Sequence, residues 1–269
     1  MQRLTRIELV DILFTCILFM SASLVSLAQS ASPSTESRLD AIVSRGTLRF
    51  GIPGDYPPFG RLDKTSGQWT GIDVDEAAGM AKALGVRLVI VRTSWPSLLP
   101  DLKAGQFDIA GGGISITMER QKDAFFSTPI LQDGKTPITR CENVSRFSSL
   151  ADIDKPGVRV ITPPGGTNES FDRSHLTRAK IIVNDDNQSI FKELVAGRAD
   201  LMITDAIETR WQHALHPELC SVHPEHPFNF VEKAYMMPRD IALQQWVNTF
   251  LHLQENTGEL NAVLDRWLH

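Results

Sequence analysis

The sequence predicts an α/β protein with two lobes and a ligand cleft between them. Three observations lead to this prediction: strands and helices alternate along the chain, a second such series begins after residue 134, and glycine-rich turns follow several strands. Strands that alternate with helices favour parallel β-α-β units. Ligands of open α/β sheets bind at the carboxyl ends of the strands, and two such series therefore predict a cleft at those edges.

The first series runs from residue 46 to residue 126. Its strand patterns are GTLRFGI, VRLVIVRT and FDIAGGG, and its helix patterns are VDEAAGMAKALG, SWPSLLPDLKAG and TMERQKDAFF. Gly85 and Gly105 directly follow helical spacing, which is typical of a helix C-terminus. The glycines of FDIAGGG let a ligand approach the backbone closely.

The second series has the same alternation. The strand patterns are GVRVIT, AKIIVN and ADLMIT, and the helix patterns are NESFDRSHL, NQSIFKELVAG and a segment that starts at Asp205. The turn GGT, residues 165–167, opens a helix whose free N–H groups favour an anion. It lacks the Gly-Lys-Ser/Thr ending of a nucleotide-binding P-loop.

Composition is that of a soluble globular protein. The chain has 269 residues, of which 42% are hydrophobic and 22% charged, and its formal net charge is −5. No block of Lys and Arg is present that would follow a phosphate backbone, so we expect no nucleic-acid partner. The expected partner is a small-molecule substrate.

The N-terminus has the pattern of an export signal. Arginines precede the apolar run ILFTCILFMSASLVSLA, and the small residues Ser26 and Ala28 suit signal-peptidase cleavage. The run is short for a bilayer span. We therefore predict a signal peptide over residues 1–28, a periplasmic protein, and no membrane attachment after cleavage.

Cleavage removes one cysteine and leaves Cys141 and Cys220. An even pair in an exported chain favours a disulfide, and two buried thiols are the alternative. The segment HPELCSVHPEH holds three histidines, but its prolines break it into loops, which makes it a weak candidate for a metal site. We expect no metal and no cofactor.

Three long motifs, taken in order, resemble the periplasmic solute-binding proteins for amino acids, family 3. They are GIDVDEAAGMAKALG, LLPDLKAGQFDIAGGGISITMERQKDAFFSTPI and FKELVAGRADLMITDAIE. The resemblance implies the type II fold of periplasmic binding proteins, in which two crossover strands join two α/β lobes. It assigns residues 38–133 plus 234–269 to lobe 1 and residues 134–233, with both remaining cysteines, to lobe 2.

Shorter stretches resemble a narrower group within that family, the cyclohexadienyl dehydratases, which act on prephenate and arogenate. The stretches are GDYPPF, TSWP, GISITMER, DGKTPIT, PGGTNE, TDAIE and HPELCSVHP. The resemblance implies a periplasmic lyase that forms phenylpyruvate or phenylalanine by loss of water and carbon dioxide. The alternative is a non-catalytic receptor that delivers an amino acid to an ABC importer.

Such a lyase needs sites for two carboxylates, an apolar slot for the ring and a proton donor. The resemblance makes Arg120 the carboxylate clamp, and its planar fork suits bidentate binding. Thr117, Ser115 and the backbone after residues 111–113 would complete this anion site. Lys135 would hold the second carboxylate, and a solvated hinge lysine is the alternative. The other implied substrate-binding residues are Asp55, Tyr56, Trp95, Thr167, Asn168 and Asp205.

Asp205 and Glu208 allow two interpretations. With Asp205 at the N-cap of a helix, Glu208 falls at N3 and the pair could form a capping box, which does no chemistry. In the family, Asp205 is the counter-charge for an amino-acid ammonium, and the TDAIE motif makes Glu208 the general acid. A helix N-terminus lowers the pKa of a carboxyl group, whereas burial and neighbouring carboxylates raise it. Glu169 is the reserve candidate for the acid.

Overall fold

A computed structural model describes residues 36–268 of the chain. The signal peptide predicted over residues 1–28 lies outside the described residues. Within the described range, none of the helices combines the length and the apolar character that a bilayer crossing requires.

The chain up to residue 133 alternates short strands with helices. Its elements are α1 (Arg38–Arg45), β1 (Thr47–Ile52), β2 (Asp55–Tyr56), β3 (Gly60–Leu62), β4 (Trp69–Thr70), α2 (Ile72–Leu84), β5 (Arg87–Arg92), α3 (Leu98–Lys103), β6 (Ile109–Ala110), α4 (Met118–Gln121), β7 (Phe125–Phe126) and β8 (Leu131–Asp133). Helix α2 ends where the sequence predicts, because Gly85 adopts the left-handed conformation with φ of 68°.

The rest of the chain continues the alternation and ends in two helices. Its elements are β9 (Lys135–Arg140), α5 (Leu150–Ile153), β10 (Arg159–Thr162), α6 (Thr167–His175), β11 (Lys180–Val183), α7 (Ile190–Val195), β12 (Leu201–Asp205), α8 (Ala206–Leu215), β13 (Leu219–Ser221), β14 (Val231–Lys233), β15 (Met236–Met237), α9 (Ile241–Thr257) and α10 (Glu259–Leu268). Short 3-10 turns lie at Cys141–Arg146 and Asn187–Ser189.

The first sheet has five strands in the order β5-β1-β6-β15-β7. Strand β1 pairs in parallel with β5 and β6, whereas β15 lies antiparallel between β6 and β7. Phe50 of β1, Met80 of α2 and Leu243 of α9 are fully buried in one apolar cluster. Removal of this apolar surface from water holds the helices on the sheet.

The second sheet also has five strands, in the order β11-β10-β12-β9-β13. Strands β10, β11 and β12 are parallel, and β9 and β13 complete the sheet as antiparallel neighbours. Apolar clusters cover the sheet, one around Phe191 and Met202 and another around Phe147 and Ile203.

Strands β8 and β14 join the two sheets and pair with each other in antiparallel register. The chain leaves the first sheet through β8, builds the second sheet, and returns through β14 to insert β15 into the first. The predicted fold class is confirmed: two α/β lobes joined by two crossover strands. The residue boundaries of the lobes stay a prediction.

One predicted helix is wrong in extent. The pattern TMERQKDAFF was expected to be helical throughout, but α4 ends at Gln121. Phe125 and Phe126 instead form β7 and pair with Met237 and Met236 of β15. Phe126 is buried by this pairing. Tertiary pairing with a distant strand here overrides the local helical spacing.

Cys141 and Cys220 form the predicted disulfide, with an S–S distance of 2.02 Å and a sequence separation of 79. The bond links the end of β9 to β13, its antiparallel neighbour. On the chain-entropy account, closing a loop of this length stabilises the folded state by roughly 4.5 kcal/mol, although that account is disputed.

Candidate active site

A small cavity lies between the two lobes, with about 20 Å³ of space open to the centre of a water-sized molecule. Its walls combine aromatic rings, charged groups and backbone from both lobes. The lining residues are Tyr56, Trp95, Gly113, Ser115, Arg120, Pro163, Gly166, Thr167, Asn168, Asn187 and Asp205.

Arg120 contributes a guanidinium group to the wall. One of its nitrogens donates to the backbone carbonyl of Ser115 at 2.9 Å, which fixes its direction. Burial lowers the pKa of Arg120 to about 10, so the group stays cationic at neutral pH. No carboxylate among residues 36–268 forms an ion pair with it. This arrangement suits an anionic ligand.

Thr117 supports Arg120 and does not itself line the cavity. Thr117 is the N-cap of α4, and its hydroxyl accepts from the backbone N–H of Arg120 at 3.2 Å. That this hydroxyl also binds a ligand stays a prediction. The hydroxyl helps to start the short helix that carries the clamp.

The glycine turn after β6 does not offer its amides to a ligand. The N–H groups of Gly112 and Gly113 both donate to Asp73 Oδ2, at 2.5 and 2.8 Å. Gly113 has φ of 76°, and a Cβ there would lie 2.5 Å from the rings of Tyr56 and Phe59. The turn therefore allows close packing of the cavity wall, as predicted for glycine, but these two amides are already satisfied.

Lys135 begins β9 and is buried, which excludes the alternative of a solvated hinge lysine. Its ammonium donates to Asp205 Oδ1 at 2.7 Å. It also donates to Thr167 Oγ1 at 3.1 Å and to Asn168 Oδ1. Burial lowers the pKa of Lys135, and the charge of Asp205 opposes that shift.

Lys233, the last residue of β14, is a second buried lysine at the same carboxylate. Its ammonium donates to Asp205 Oδ2 at 2.5 Å and to Ser115 Oγ at 2.9 Å. No motif in the sequence pointed to Lys233. A signal was available, because Lys233 directly precedes the apolar run AYMM and so interrupts a segment that reads as buried.

Asp205 receives a third donor from lobe 1. The phenol of Tyr56 donates to Asp205 Oδ2 at 2.6 Å. Burial alone would raise the pKa of Asp205, but the ammonium groups of Lys135 and Lys233 outweigh it and hold this pKa well below its usual range. Asp205 is therefore ionised and fully paired.

Glu208 does not act in a capping box. Asp205 has the backbone position of the N-cap of α8, yet its side chain makes no capping hydrogen bond. Glu208 points into the protein and is fully buried. Its Oε2 accepts from the hydroxyl of Thr204 at 2.5 Å. Its Oε1 has no hydrogen-bond partner among the described residues.

The environment of Glu208 favours the neutral acid. Burial raises the pKa of Glu208 to about 8, and the charge of Asp205 adds to the rise. The Thr204 hydroxyl and the charge of Lys135 oppose it without cancelling it. The balance that the sequence left open falls on the side of a protonated carboxyl at neutral pH.

Glu208 does not line the cavity and is two hydrogen bonds behind its wall. Asn168, which lines the cavity, donates from Nδ2 to Thr204 Oγ1 at 2.9 Å, and Thr204 in turn donates to Glu208. A chain of polar groups thus connects the cavity to the protonated carboxyl.

Glu169, the reserve candidate, has the opposite environment. Its Oε2 accepts from the N–H of Gly165 at 2.6 Å, and its Oε1 pairs with Arg173. The Gly165 N–H and then Arg173 hold the pKa of Glu169 below its usual range. An ionised carboxylate of this kind does not suit a proton donor.

Aromatic side chains form one side of the cavity. Tyr56 and Trp95 meet edge to face, with ring centroids 5.9 Å apart. Asp55 does not line the cavity; it accepts from Trp95 Nε1 at 3.0 Å and so orients the indole ring. Burial raises the pKa of Asp55 to about 6, against the Trp95 hydrogen bond, which lowers it.

Asn187 is a further lining residue that the sequence analysis did not identify. Its Nδ2 donates to the carbonyl of Asp55 in lobe 1 at 3.1 Å, and its Oδ1 lacks a partner in the described part of the chain. It lies in the segment NQSIFKELVAG, where local pattern indicates only the start of a helix.

One group of His, Cys, Asp or Glu side chains in the described residues is close enough to hold a metal ion. Its members, Cys141, His213 and Cys220, have ligand atoms within 4.8 Å of one another. Both sulfur atoms belong to the disulfide and are not thiolates, the form that binds metal.

A two-lobed α/β fold with a charged cleft between the lobes defines a solute-binding protein. Residues 48–269 match the bacterial extracellular solute-binding proteins, family 3, and the chain belongs to that family. The family resemblance predicted from the motifs is thus confirmed, and an extracellular family agrees with an exported protein.

Among curated proteins, the cyclohexadienyl dehydratase of Pseudomonas aeruginosa is 51% identical over 247 residues, which cover 92% of each chain. Among solved structures, an ancestral amino-acid-binding protein described as a precursor of cyclohexadienyl dehydratase has a TM-score of 0.81 at 36% identity, covering 87% of this chain and 100% of that one. An ancestral cyclohexadienyl dehydratase is 48% identical with a TM-score of 0.54, covering 86% of this chain and 96% of that one.

Proposed function

We propose that the protein is a cyclohexadienyl dehydratase that converts prephenate to phenylpyruvate and arogenate to phenylalanine. The observation that carries the proposal is the fully buried Glu208, whose raised pKa of about 8 keeps a proton available at neutral pH. Identity of 51% to the enzyme of Pseudomonas aeruginosa supports it. Glu208 is also linked to the cavity wall, through Thr204 and Asn168.

The reaction needs one proton and no external oxidant. Glu208 gives its proton to the C4 hydroxyl of the substrate as the C–O bond breaks, and water leaves. The bond to the ring carboxylate breaks at the same stage and releases carbon dioxide. Its electron pair completes the aromatic ring, and Glu208 later recovers a proton from solvent.

Charged groups of the cavity suit the two carboxylates of prephenate. Arg120 is the clamp for one carboxylate, because its guanidinium is directed into the cavity and makes no ion pair within the described residues. Lys135 lies behind the cavity wall, with its ammonium bound to Asp205, Thr167 and Asn168, and supplies positive charge for the other carboxylate from there. Tyr56 and Trp95 provide ring faces for the cyclohexadiene.

Thr167, Asn168 and Asp205 complete the proposed substrate-binding set. Thr167 and Asn168 lie at the start of α6 on the cavity wall and are both held by Lys135. Asp205 keeps Lys135 charged and in place.

The second candidate function is a receptor that binds an amino acid for an ABC importer. The match to an ancestral amino-acid-binding protein, at 36% identity and a TM-score of 0.81, favours it. The same cavity serves both functions, so turnover separates them.

The deciding experiment incubates the purified protein, freed of residues 1–28, with prephenate at neutral pH and follows phenylpyruvate. We expect turnover far above the rate in buffer. Turnover no faster than buffer, together with micromolar binding of an amino acid, would establish the receptor function instead.

We also propose that the protein works in the periplasm after removal of residues 1–28. Membership in an extracellular family supports this location. The intact mass of the protein isolated from the periplasmic fraction should correspond to a chain that begins near residue 29. A full-length mass in the cytosolic fraction would contradict it.

A further inference from the structure

The carboxylate of Asp205 is saturated by donors of the protein itself. Lys135 takes Oδ1, while Lys233 and Tyr56 take Oδ2, all within 2.7 Å. Of the residues that line the cavity, Asp205 is the sole one with a carboxylate. A ligand ammonium that sought an anion on this wall would meet two ammonium groups already in place.

We propose that Lys233 determines specificity by neutralising Asp205, so that the site favours a keto acid over the corresponding amino acid. Lys233 does not line the cavity and acts through Asp205, as a positioning residue. The inference rests on the proposed function only in its choice of substrates, which differ in one keto or amino group.

Several contacts fix the ammonium of Lys233 beside Asp205. Its ammonium lies 5.4 Å from the ring centroid of Tyr56 and 5.9 Å from that of Phe59, at distances typical of cation–π contacts. The ammonium donates to Ser115 Oγ, and the backbone of Lys233 pairs with Leu131 of the crossover strand β8. A buried cation with these contacts does not swing away to admit a competing ammonium.

The charges of the site agree with this preference. Arg120, Lys135 and Lys233 surround Asp205, the one carboxylate on the cavity wall, while Asp133, which lies off the wall, also acts on Lys233. The cations outnumber these two carboxyl groups, and the carboxylates of prephenate meet that positive charge. Arogenate brings an ammonium as well, which would lie beside these cations as an unfavourable like charge.

The experiment measures a ratio in two ways. The first readout is the ratio of kcat/KM for prephenate to that for arogenate. The second needs no turnover: it is the ratio of the calorimetric Kd values of phenylpyruvate and L-phenylalanine, which also differ in a keto or amino group. We expect Lys233→Met to shift both ratios toward the amino acid by about tenfold or more.

Lys64→Met is the matched control. Lys64 also pairs with an aspartate, at 3.2 Å from Asp186, but it is exposed and outside the cavity wall. Its loss should leave both ratios unchanged. Lys233→Arg keeps the charge and should restore the keto-acid preference lost in Lys233→Met.

A second variant decides the matter if Lys233→Met does not fold. Asp205→Asn should change kcat/KM for prephenate and arogenate in the same direction. It should likewise change the Kd values of phenylpyruvate and L-phenylalanine in the same direction, because the wild-type carboxylate is not available to an ammonium. Selective loss of arogenate turnover and of phenylalanine binding in Asp205→Asn would overturn the proposal. So would unchanged ratios in a folded Lys233→Met protein.

The two proposals fail separately. Absence of turnover on both substrates would refute the dehydratase function, while the Kd ratio would still test Lys233. Normal turnover with unshifted ratios in Lys233→Met would refute the role of Lys233 alone.

Discussion

Glu169 and Glu208 occupy the same position in two helices of the second lobe. Each is the third residue after the N-cap, which is Gly166 in α6 and Asp205 in α8. The helix dipole therefore acts on both carboxyl groups in the same sense and lowers the pKa of each. Their protonation states nevertheless differ.

Burial and partners account for the difference. Glu169 bends back to the N–H of Gly165 and pairs with Arg173 near the surface, which lowers its pKa. Glu208 turns inward against Thr204, has one oxygen without a partner in the described range, and has a pKa raised to about 8. Desolvation thus outweighs the dipole once the carboxyl group loses contact with water.

The largest expected effect tests the acid itself. Glu208→Gln keeps the size of the side chain and removes the titratable proton. We expect substrate binding and melting temperature near those of wild type, with turnover lower by roughly 10²–10⁴-fold. Steady-state kinetics with prephenate and thermal melting measure these effects.

Glu169→Gln is the control at the equivalent position, and it should cost far less turnover. If Glu208→Gln turned over prephenate normally while Glu169→Gln did not, the assignment of the acid would be reversed.

The second comparison is between Arg120 of the cavity wall and Arg173 of α6, which pairs with Glu169. Arg120→Met should weaken binding of prephenate by about 2–5 kcal/mol, the range for loss of one partner of a desolvated charge pair. Isothermal calorimetry in a Glu208→Gln background measures binding without turnover. Unchanged affinity would move the clamp elsewhere, with Lys135 the next candidate.

A pH profile sharpens the contrast between the two carboxyl groups. Because the neutral form of Glu208 is the donor, kcat/KM should fall as the pH rises through about 8, the pKa in the ligand-free protein, and at most tenfold for each pH unit above it. Glu169 is ionised across this range and should leave no trace in the profile. A flat profile through the same interval would exclude Glu208 as the donor.

The free energy of unfolding should also depend on pH through Glu208. The pKa of Glu208 is raised from 4.5 to about 8 in the folded protein. Its contribution to the free energy of unfolding is therefore fully present below the unfolded-state value and is lost as pH rises through the folded one. Urea unfolding should show that the free energy of unfolding falls more for wild type than for Glu208→Gln between about pH 5 and about pH 9. The variant corrects for Asp172, which titrates in the same range.

The smallest effect concerns the surface partner of Glu169. Arg173→Met removes an exposed ion pair, and such pairs contribute roughly 0–1 kcal/mol. We expect unfolding free energy to change by no more than that and turnover to stay at the wild-type level. A loss of turnover comparable to that of Arg120→Met would mean that α6 has a chemical role.

Local pattern was sufficient for much of the fold and for the residues that motifs contain. The alternation of strands and helices and the end of α2 at Gly85 could be predicted from nearby residues, and the disulfide from the even pair of cysteines in an exported chain. The extent of α4 could not, because β7 exists only through its pairing with β15, more than a hundred residues later in the chain. Local propensity does not predict which distant strands will pair.

The same limit applies to the site. Lys233 contacts Ser115 across a separation of 118 residues, and its burial follows from the path of β14 rather than from its neighbours in sequence. The capping-box interpretation of Glu208 was compatible with every local residue. Only the direction of the side chain, inward against Thr204, distinguishes an acid from a cap.

The place of β15 bears on how the chain folds as it is made and exported. This strand lies between β6 and β7 in the first sheet, yet it follows the whole second lobe in the sequence. The first lobe therefore emerges with a gap in its sheet and exposes two unpaired strand edges until residues 236–237 arrive. Long-range pairing of this kind slows folding and leaves open edges prone to association. The nascent chain is thus most vulnerable to aggregation while its second lobe is still being delivered.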